Sequence, residues 1–320
     1  MIDGIALALS GGVGGAKLAL GLARVLASEE LAIVANTGDD FEHLGLHISP
    51  DVDTLLYTLS GINNPETGWG RAEETWACMA DLKRLRGETW FRLGDKDLAL
   101  HLYRTAQLKN GASLSAVIDG LRKHLKIGPE VLPMSDQPVR TQVETDEGLL
   151  QFQQYFVRRR CEPVVKGLHF SGASDAAMTP RFAQLLASST LHAIIICPSN
   201  PYLSIDPILA IPGVRQAIKG SAALTIAVSP IVDGSAIKGP TAKLMTELGV
   251  PVSPTAIVQH YGDFLDGFIL DEADAGLASS IETSGIACSV TSTVMRTLED
   301  RTRLARDVLD FARTLRPMKQ

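Results

Sequence analysis

Residues 11–15, G-G-V-G-G, place four glycines in five positions directly behind an apolar run. The run 5–9 reads as a strand and 18–26 as a helix, so Ser10-Gly11-Gly12-Val13-Gly14-Gly15-Ala16-Lys17 joins the two. A strand–glycine turn–helix unit commits the chain to α/β architecture. Glycines let backbone approach a ligand closely, and the helix start offers unpaired N–H groups and a positive dipole end. Together these make an anion site, most often for phosphate. The spelling matches neither standard fingerprint. The dinucleotide pattern requires G-x-G-x-x-G, and the Walker pattern requires Gly-Lys-Ser/Thr, whereas Lys17 lies two residues beyond Gly15 and precedes Leu18. A tight turn without a ligand also uses glycine, but rarely four of them.

The rest of the chain excludes several classes. A net charge of −6 over 320 residues implies no basic face for nucleic acid, and the densest basic run, Arg158-Arg159-Arg160, suits a solvated turn or strand end. No segment has the ~18 consecutive apolar residues of a membrane span. The N-terminus lacks a basic region ahead of its apolar run, so no signal peptide is expected. Cys78, Cys161, Cys197 and Cys288 are far apart, which argues against structural zinc and a disulfide framework and fits a reducing cytoplasm.

Apolar runs at 31–36, 193–197 and 224–228 have the continuous hydrophobicity of buried parallel strands, and further strands are read at 267–270 and 287–290. Ser49-Pro50 reads as a helix start continuing to residue 60, and helices are expected at 71–86, 98–107, 113–125, 243–248 and 297–315. Residues 141–144 and 149–156 alternate around Thr145-Asp146-Glu147-Gly148, the pattern of a hairpin. The expectation is one three-layer, Rossmann-like α/β domain over 1–320 with a mostly parallel sheet and a helical and hairpin insertion at about 60–165.

Polar loops follow several strands: 10–15, 36–40, 198–201 and 229–230. In a parallel sheet these ends share one edge and converge on one ligand. Asp51 lies in a first helical turn, where the dipole accounts for a carboxylate. Asp53, two residues on, faces elsewhere, either to solvent or to a ligand at the cleft rim. Leu93-Gly94-Asp95-Lys96-Asp97 suits a capped helix start with a local ion pair. Ser135 and Asp136, in Leu132-Pro133-Met134-Ser135-Asp136-Gln137-Pro138, either make a turn or accept from the edge of a guanine. His43 and His47 are four apart, as a metal pair on one helical face would be, but Gly45 weakens that helix and structural histidines are expected. His101 and His260 have no partner motif.

These stretches in order, S-G-G-V-G-G-A-K-L, N-T-G-D-D, H-I-S-P-D-V-D-T-L-L-Y, L-G-D-K-D, L-P-M-S-D-Q-P-V, P-S-N-P and V-S-P-I-V…K-G-P-T-A-K-L-M, resemble the 2-phospho-L-lactate transferase family of coenzyme F-420 biosynthesis, over nearly the whole chain. The resemblance implies transfer of a phospholactyl-type group from a guanosine diphospho-donor to the deazaflavin Fo, with release of GMP and a requirement for Mg²⁺. It implies Fo contacts at Asp53 and Lys96, with Asp53 as orienter or base. It implies nucleotide contacts at Gly11, Gly12, Gly14, Ser199 and Asn200, with Ser135 and Asp136 near the guanine. Where the family is expected to carry Thr after the second glycine, this chain has Val13, which leaves only backbone donors there. Asp39 and Asp40 either reach the metal or cap a turn after Gly38. A homodimer stays open. The alternative is a UDP-sugar-binding regulatory protein of the gluconeogenesis-factor type. That group carries D-D-G-G after the second strand, where this chain has Asp39-Asp40-Phe41-Glu42.

Overall fold

The computed structural model describes residues 4–237 and 239–315. The first strand, β1 (Ile5–Ser10), is followed at once by α1 (Gly12–Val25), and β2 (Leu31–Ala35) returns beside it. A short hairpin, β3 (Phe41–His43) and β4 (Leu46–Ile48), precedes α2 (Pro50–Ser60). Three helices follow: α3 (Ala77–Arg84), α4 (Asp95–Lys109) and α5 (Leu114–His124). Then come β5 (Glu130–Pro133) and an antiparallel sheet of β6 (Arg140–Thr145), β7 (Gly148–Gln151) and β8 (Val165–Ser171). The second half supplies β9 (Leu191–Ile196), β10 (Leu224–Val228), the short pair β11 (Ile231–Val232) and β12 (Ser235–Ala236), β13 (Gly267–Leu270), β14 (Ala287–Val290) and a last helix at Leu298–Leu315.

Seven of these strands form one parallel sheet in the order β14-β13-β10-β9-β1-β2-β5. Alternation along β1 divides the core. Ala6 and Ala8 face a cluster with Leu18, Leu22, Val52 and Leu304, while Leu7 and Leu9 face one with Phe182, Ile205 and Ile257. Both faces are covered by helices, so every residue of β2 and β10 is buried, as the unbroken apolar runs require.

The sheet winds from β1 to β2 and β5 on one side and from β9 to β14 on the other. The switch point lies between β1 and β9, where ligands bind in open α/β sheets. The stretch expected as an insertion, 60–165, is interrupted: β5 pairs in parallel with β2 and belongs to the main sheet. Only four residues long and carrying Glu130 and Pro133, it lacks the apolar run by which the other strands are legible. The expected hairpin gains a third strand, β8, and its second arm ends in a wide helical turn at Gln154–Arg158. The 71–86 helix is shorter than expected: Arg71 bridges to Asn63, 72–76 form turns and irregular backbone, and the helix ends at Arg84. Among the described residues, no helix is long and apolar enough to cross a membrane.

Candidate active site

The four glycines make almost no loop. Gly11 is the N-cap of α1, and Gly12, Val13, Gly14 and Gly15 are its first turn. Gly12 has φ +63, a conformation that favours glycine, and a Cβ there would meet nothing within 4 Å, so the helix end opens to space. The next two glycines have another reason. A Cβ on Gly14 would lie 2.3 Å from the Pro198 carbonyl oxygen, and one on Gly15 would lie 2.5 Å from Ser10 Oγ and 2.6 Å from Ser199 Oγ. These two glycines let α1 seat against the end of β9. The sequence shows the need for glycine but not which contact causes it.

Ser199 and Asn200 brace this turn. The Gly11 N–H donates to Ser199 Oγ (3.1 Å), which donates back to the Gly11 carbonyl (2.8 Å). Asn200 Oδ1 accepts from the Tyr202 and Leu203 N–H groups, and its buried Nδ2 has no partner among the described residues. Ser10 Oγ is likewise buried without a partner. Such groups are costly to leave unpaired, and two of them beside an open helix N-terminus mark a place where a polar ligand fits.

The dipole of α2 alone would account for Asp51, yet its carboxylate serves a different helix. The Gly12 N–H donates to Asp51 Oδ1 (2.8 Å), so the carboxylate from α2 caps α1. Asn36, at the end of β2, ties the cluster together. Its Nδ2 donates to Asp51 Oδ2 (2.9 Å), Asp39 Oδ1 (3.1 Å) and the Leu203 carbonyl (3.2 Å), and its Oδ1 accepts from the Gly38 N–H (2.8 Å). Asp40 Oδ2 accepts from Ser49 Oγ (2.8 Å) and lies 3.0 Å from His47 Nε2, while Asp40 Oδ1 is buried without a partner among the described residues. Asp39, Asp40 and Asp51 are thus three buried carboxylates at the end of β2 and the start of α2.

Burial pushes the Asp51 carboxyl up to about 6, against the Asn36 and Gly12 hydrogen bonds that pull it down. Burial, and next the charge of Asp51, hold Asp39 well above the usual carboxylate range. A carboxyl that keeps its proton to about pH 6 when folded but loses it near 3.8 when unfolded binds more protons in the native state. Its contribution to stability is therefore complete below about pH 4 and lost as pH rises through about 6. Asp51→Asn should reduce the fall in unfolding free energy between about pH 4 and pH 6 by up to ~3 kcal/mol, checked by urea unfolding across that range. An unchanged slope would show that Asp51 is already ionised in the native protein at low pH.

The structure corrects the solvent-facing reading of Asp53. It is buried, and both its oxygens pair with the guanidinium of Arg104 from α4, which is fully buried. His101 sits beside the pair, Nδ1 3.7 Å from Asp53 Oδ2 and Nε2 3.3 Å from Asp97 Oδ2, and Tyr57 donates to Asp97. Asp53 is thus part of a buried charged network joining α2 to α4. Arg104 carries no motif, and only its place in a helical segment could have flagged it.

Lys96 is exposed, its Nζ 3.8 Å from Glu73, at the N-terminal end of α4. Its neighbours are structural, but the local ion pair read from the sequence does not form, since Lys96 meets Glu73 and not Asp95 or Asp97. Asp95 accepts from Thr75 and from the Ala77 and Cys78 N–H groups, and Asp97 accepts from Tyr57. Ser135 is buried and makes a local turn with Gln137. Asp136 Oδ1 accepts from the Ser115 N–H and hydroxyl at the start of α5, which leaves only Oδ2 for a base edge. His43 and His47 lie on β3 and β4, not on one helical face. His43 packs among Phe41, Trp90 and Phe91.

The glycine turn, Asn36, the three aspartates, Ser199 and Asn200 therefore come together at the switch point. A curated phosphoenolpyruvate transferase from Kitasatospora aureofaciens is 38% identical over 317 residues, 97% of this chain and 98% of that protein. A 2-phospho-L-lactate transferase from Methanosarcina mazei is 38% identical over 300 residues, 94% of this chain and 98% of that protein. Among solved structures, a Bacillus halodurans member of the UPF0052 family aligns with a TM-score of 0.62 at 16% identity over 97% of this chain and 99% of that one, a likeness of fold. The family model for 2-phospho-L-lactate transferase CofD matches residues 6–301, and the chain belongs to that family of transferases.

Proposed function

We propose that this protein transfers a phospholactyl-type group, derived from 2-phospholactate, phosphoenolpyruvate or 3-phosphoglycerate, from a guanosine diphospho-donor to the deazaflavin Fo, releasing GMP in coenzyme F-420 biosynthesis. The observation that carries this reading is the family match over residues 6–301, joined to an open, glycine-built helix N-terminus at the switch point. The terminal hydroxyl oxygen of Fo attacks the phosphorus distal to guanosine. The bond from that phosphorus to the GMP oxygen breaks, and the hydroxyl proton is lost. Such chemistry is mostly alignment and electrostatic stabilisation of phosphate oxygens.

In this reading, the Val13 and Gly14 amides and the dipole of α1 face the diphosphate, since the Gly11 and Gly12 N–H groups already donate to Ser199 and Asp51; Asn200 Nδ2 adds a donor, and Val13 adds no hydroxyl. Asp53 orients rather than takes the proton, because Arg104 occupies both its oxygens. The aspartates fit Mg²⁺: like charges crowd around one amide, and Asp40 Oδ1 lacks a partner. Mg²⁺ ordinarily binds through one or two carboxylates, water and substrate phosphates. Asp39 and Asp40 would hold it, and Mg²⁺ when bound neutralises charge on the phosphate oxygens.

The protein is expected to bind GDP at least about tenfold more tightly than UDP or UDP-sugars, a difference of ~1.4 kcal/mol, by calorimetric titration. Incubation with Fo, Mg²⁺ and each guanosine diphospho-acid should yield GMP and an Fo phosphodiester identifiable by mass. Tighter binding of a UDP-sugar, with no Fo product from any donor, would reject this function for the regulatory alternative.

A further inference from the structure

A cavity of about 510 Å³ opens between the β3–β4 hairpin, the C-terminal end of α4 and the first residue of β6. Phe41 and Leu108 give it apolar wall, and Lys109 and Arg140 give it positive charge. Arg140 is half-buried, and its Nη1 donates to the Val139 carbonyl (2.9 Å). Neither Arg140 nor Lys109 pairs with a carboxylate among the described residues. Other basic side chains do pair with acids, as in Arg159–Glu147, Arg181–Glu130 and Lys243–Glu247. In a chain of net charge −6, this cavity carries a local excess of positive charge, two cations to one carboxylate. One wall carboxylate, Glu42, is exposed and offsets only part of that charge.

The cavity shares a wall with the candidate active site. His47 lines it, and His47 Nε2 lies 3.0 Å from Asp40 Oδ2 and 3.1 Å from Ser49 Oγ. Arg140 directly precedes Thr141, whose N–H donates to the Gly38 carbonyl (2.7 Å) in the loop after β2. It is distinct from the surroundings of Lys96, which lies at the other end of α4, ~20 Å away at the rise of an α-helix. Its volume suits a small molecule. A guanidinium matches carboxylate and phosphate oxygens in pairs, and a nearby ammonium adds charge without imposing geometry.

We propose that this cavity binds an organic anion, a carboxylate or phosphate on a partly apolar body, through Arg140 and Lys109. The anion is either the acid end of the diphospho-donor, reaching past His47, or a separate acidic metabolite. Only the first source rests on the function proposed above.

The test compares the wild type with the Arg140→Gln/Lys109→Gln double variant, neither of whose altered residues holds an ion pair among the described residues. Each is titrated calorimetrically with GDP, with the guanosine diphospho-acid donors and with phosphoenolpyruvate in the presence of saturating GDP. The expected result is a loss of about 10- to 100-fold in affinity for an acid-bearing ligand, with GDP binding unchanged, as removal of charged hydrogen bonds produces. Loss confined to a donor places the donor's acid end in the cavity. Loss confined to phosphoenolpyruvate identifies a separate anion site. If neither ligand depends on the two residues, or if GDP binding falls in parallel, the proposal is overturned. Failure of wild-type protein to bind GDP would instead count against the proposed function, and the same phosphoenolpyruvate titration made without GDP would still decide the cavity.

Discussion

Arg104→Met is expected to destabilise the protein by about 3–5 kcal/mol, the cost of breaking a buried ion pair by removing one partner. The guanidinium is fully buried and meets both oxygens of Asp53, with His101 and Asp97 close by. Methionine fills much of the volume but leaves the Asp53 carboxylate in a low-dielectric site with no counter-charge. Asp53→Asn should destabilise too, because it leaves Arg104 as the uncompensated charge. Loss of turnover in that variant is therefore evidence for catalysis only after stability is measured. The check is urea unfolding of both single variants and of the pair. A double variant less destabilised than the sum of the singles confirms the coupling. An Arg104→Met midpoint within error of wild type would show that the pair contributes nothing net.

Gly14→Ala is expected to cost about 1–3 kcal/mol and to weaken GDP binding more than tenfold. The added methyl would stand 2.3 Å from the Pro198 carbonyl oxygen, and this is backbone, so no rotamer change relieves the contact. Either α1 shifts or the 198–200 segment moves. Both displace Ser199 and Asn200 from the helix start that they brace. Gly12→Ala would test a different property of the same turn. Space is free there, so its cost comes from backbone conformation at φ +63 alone. Calorimetry with GDP and thermal melts separate the two, and full GDP affinity in Gly14→Ala would rule out close packing of α1 on Pro198 as a requirement for the nucleotide site.

The architecture is legible in the residue pattern. Buried parallel strands must be apolar on both faces, so β1, β2, β9, β10 and β13 stand out as unbroken runs, and the glycines after the first announce a close approach. That pattern also identifies the family, because the motifs recur in order along the chain. It did not reveal β5, whose four residues include a charge and a proline and whose place is assigned by pairing with β2. The roles of the polar residues emerge from the folded arrangement alone. Asp51 lies 39 positions from Gly12 and Asp53 lies 51 positions from Arg104, and no local pattern links residues so far apart. A helix-start aspartate looks the same whether it caps its own helix or another, and a buried arginine looks the same as a solvated one. The difference arises from which elements the sheet's winding brings to its C-terminal edge, where long-range hydrogen bonds and burial assign each carboxylate its partner.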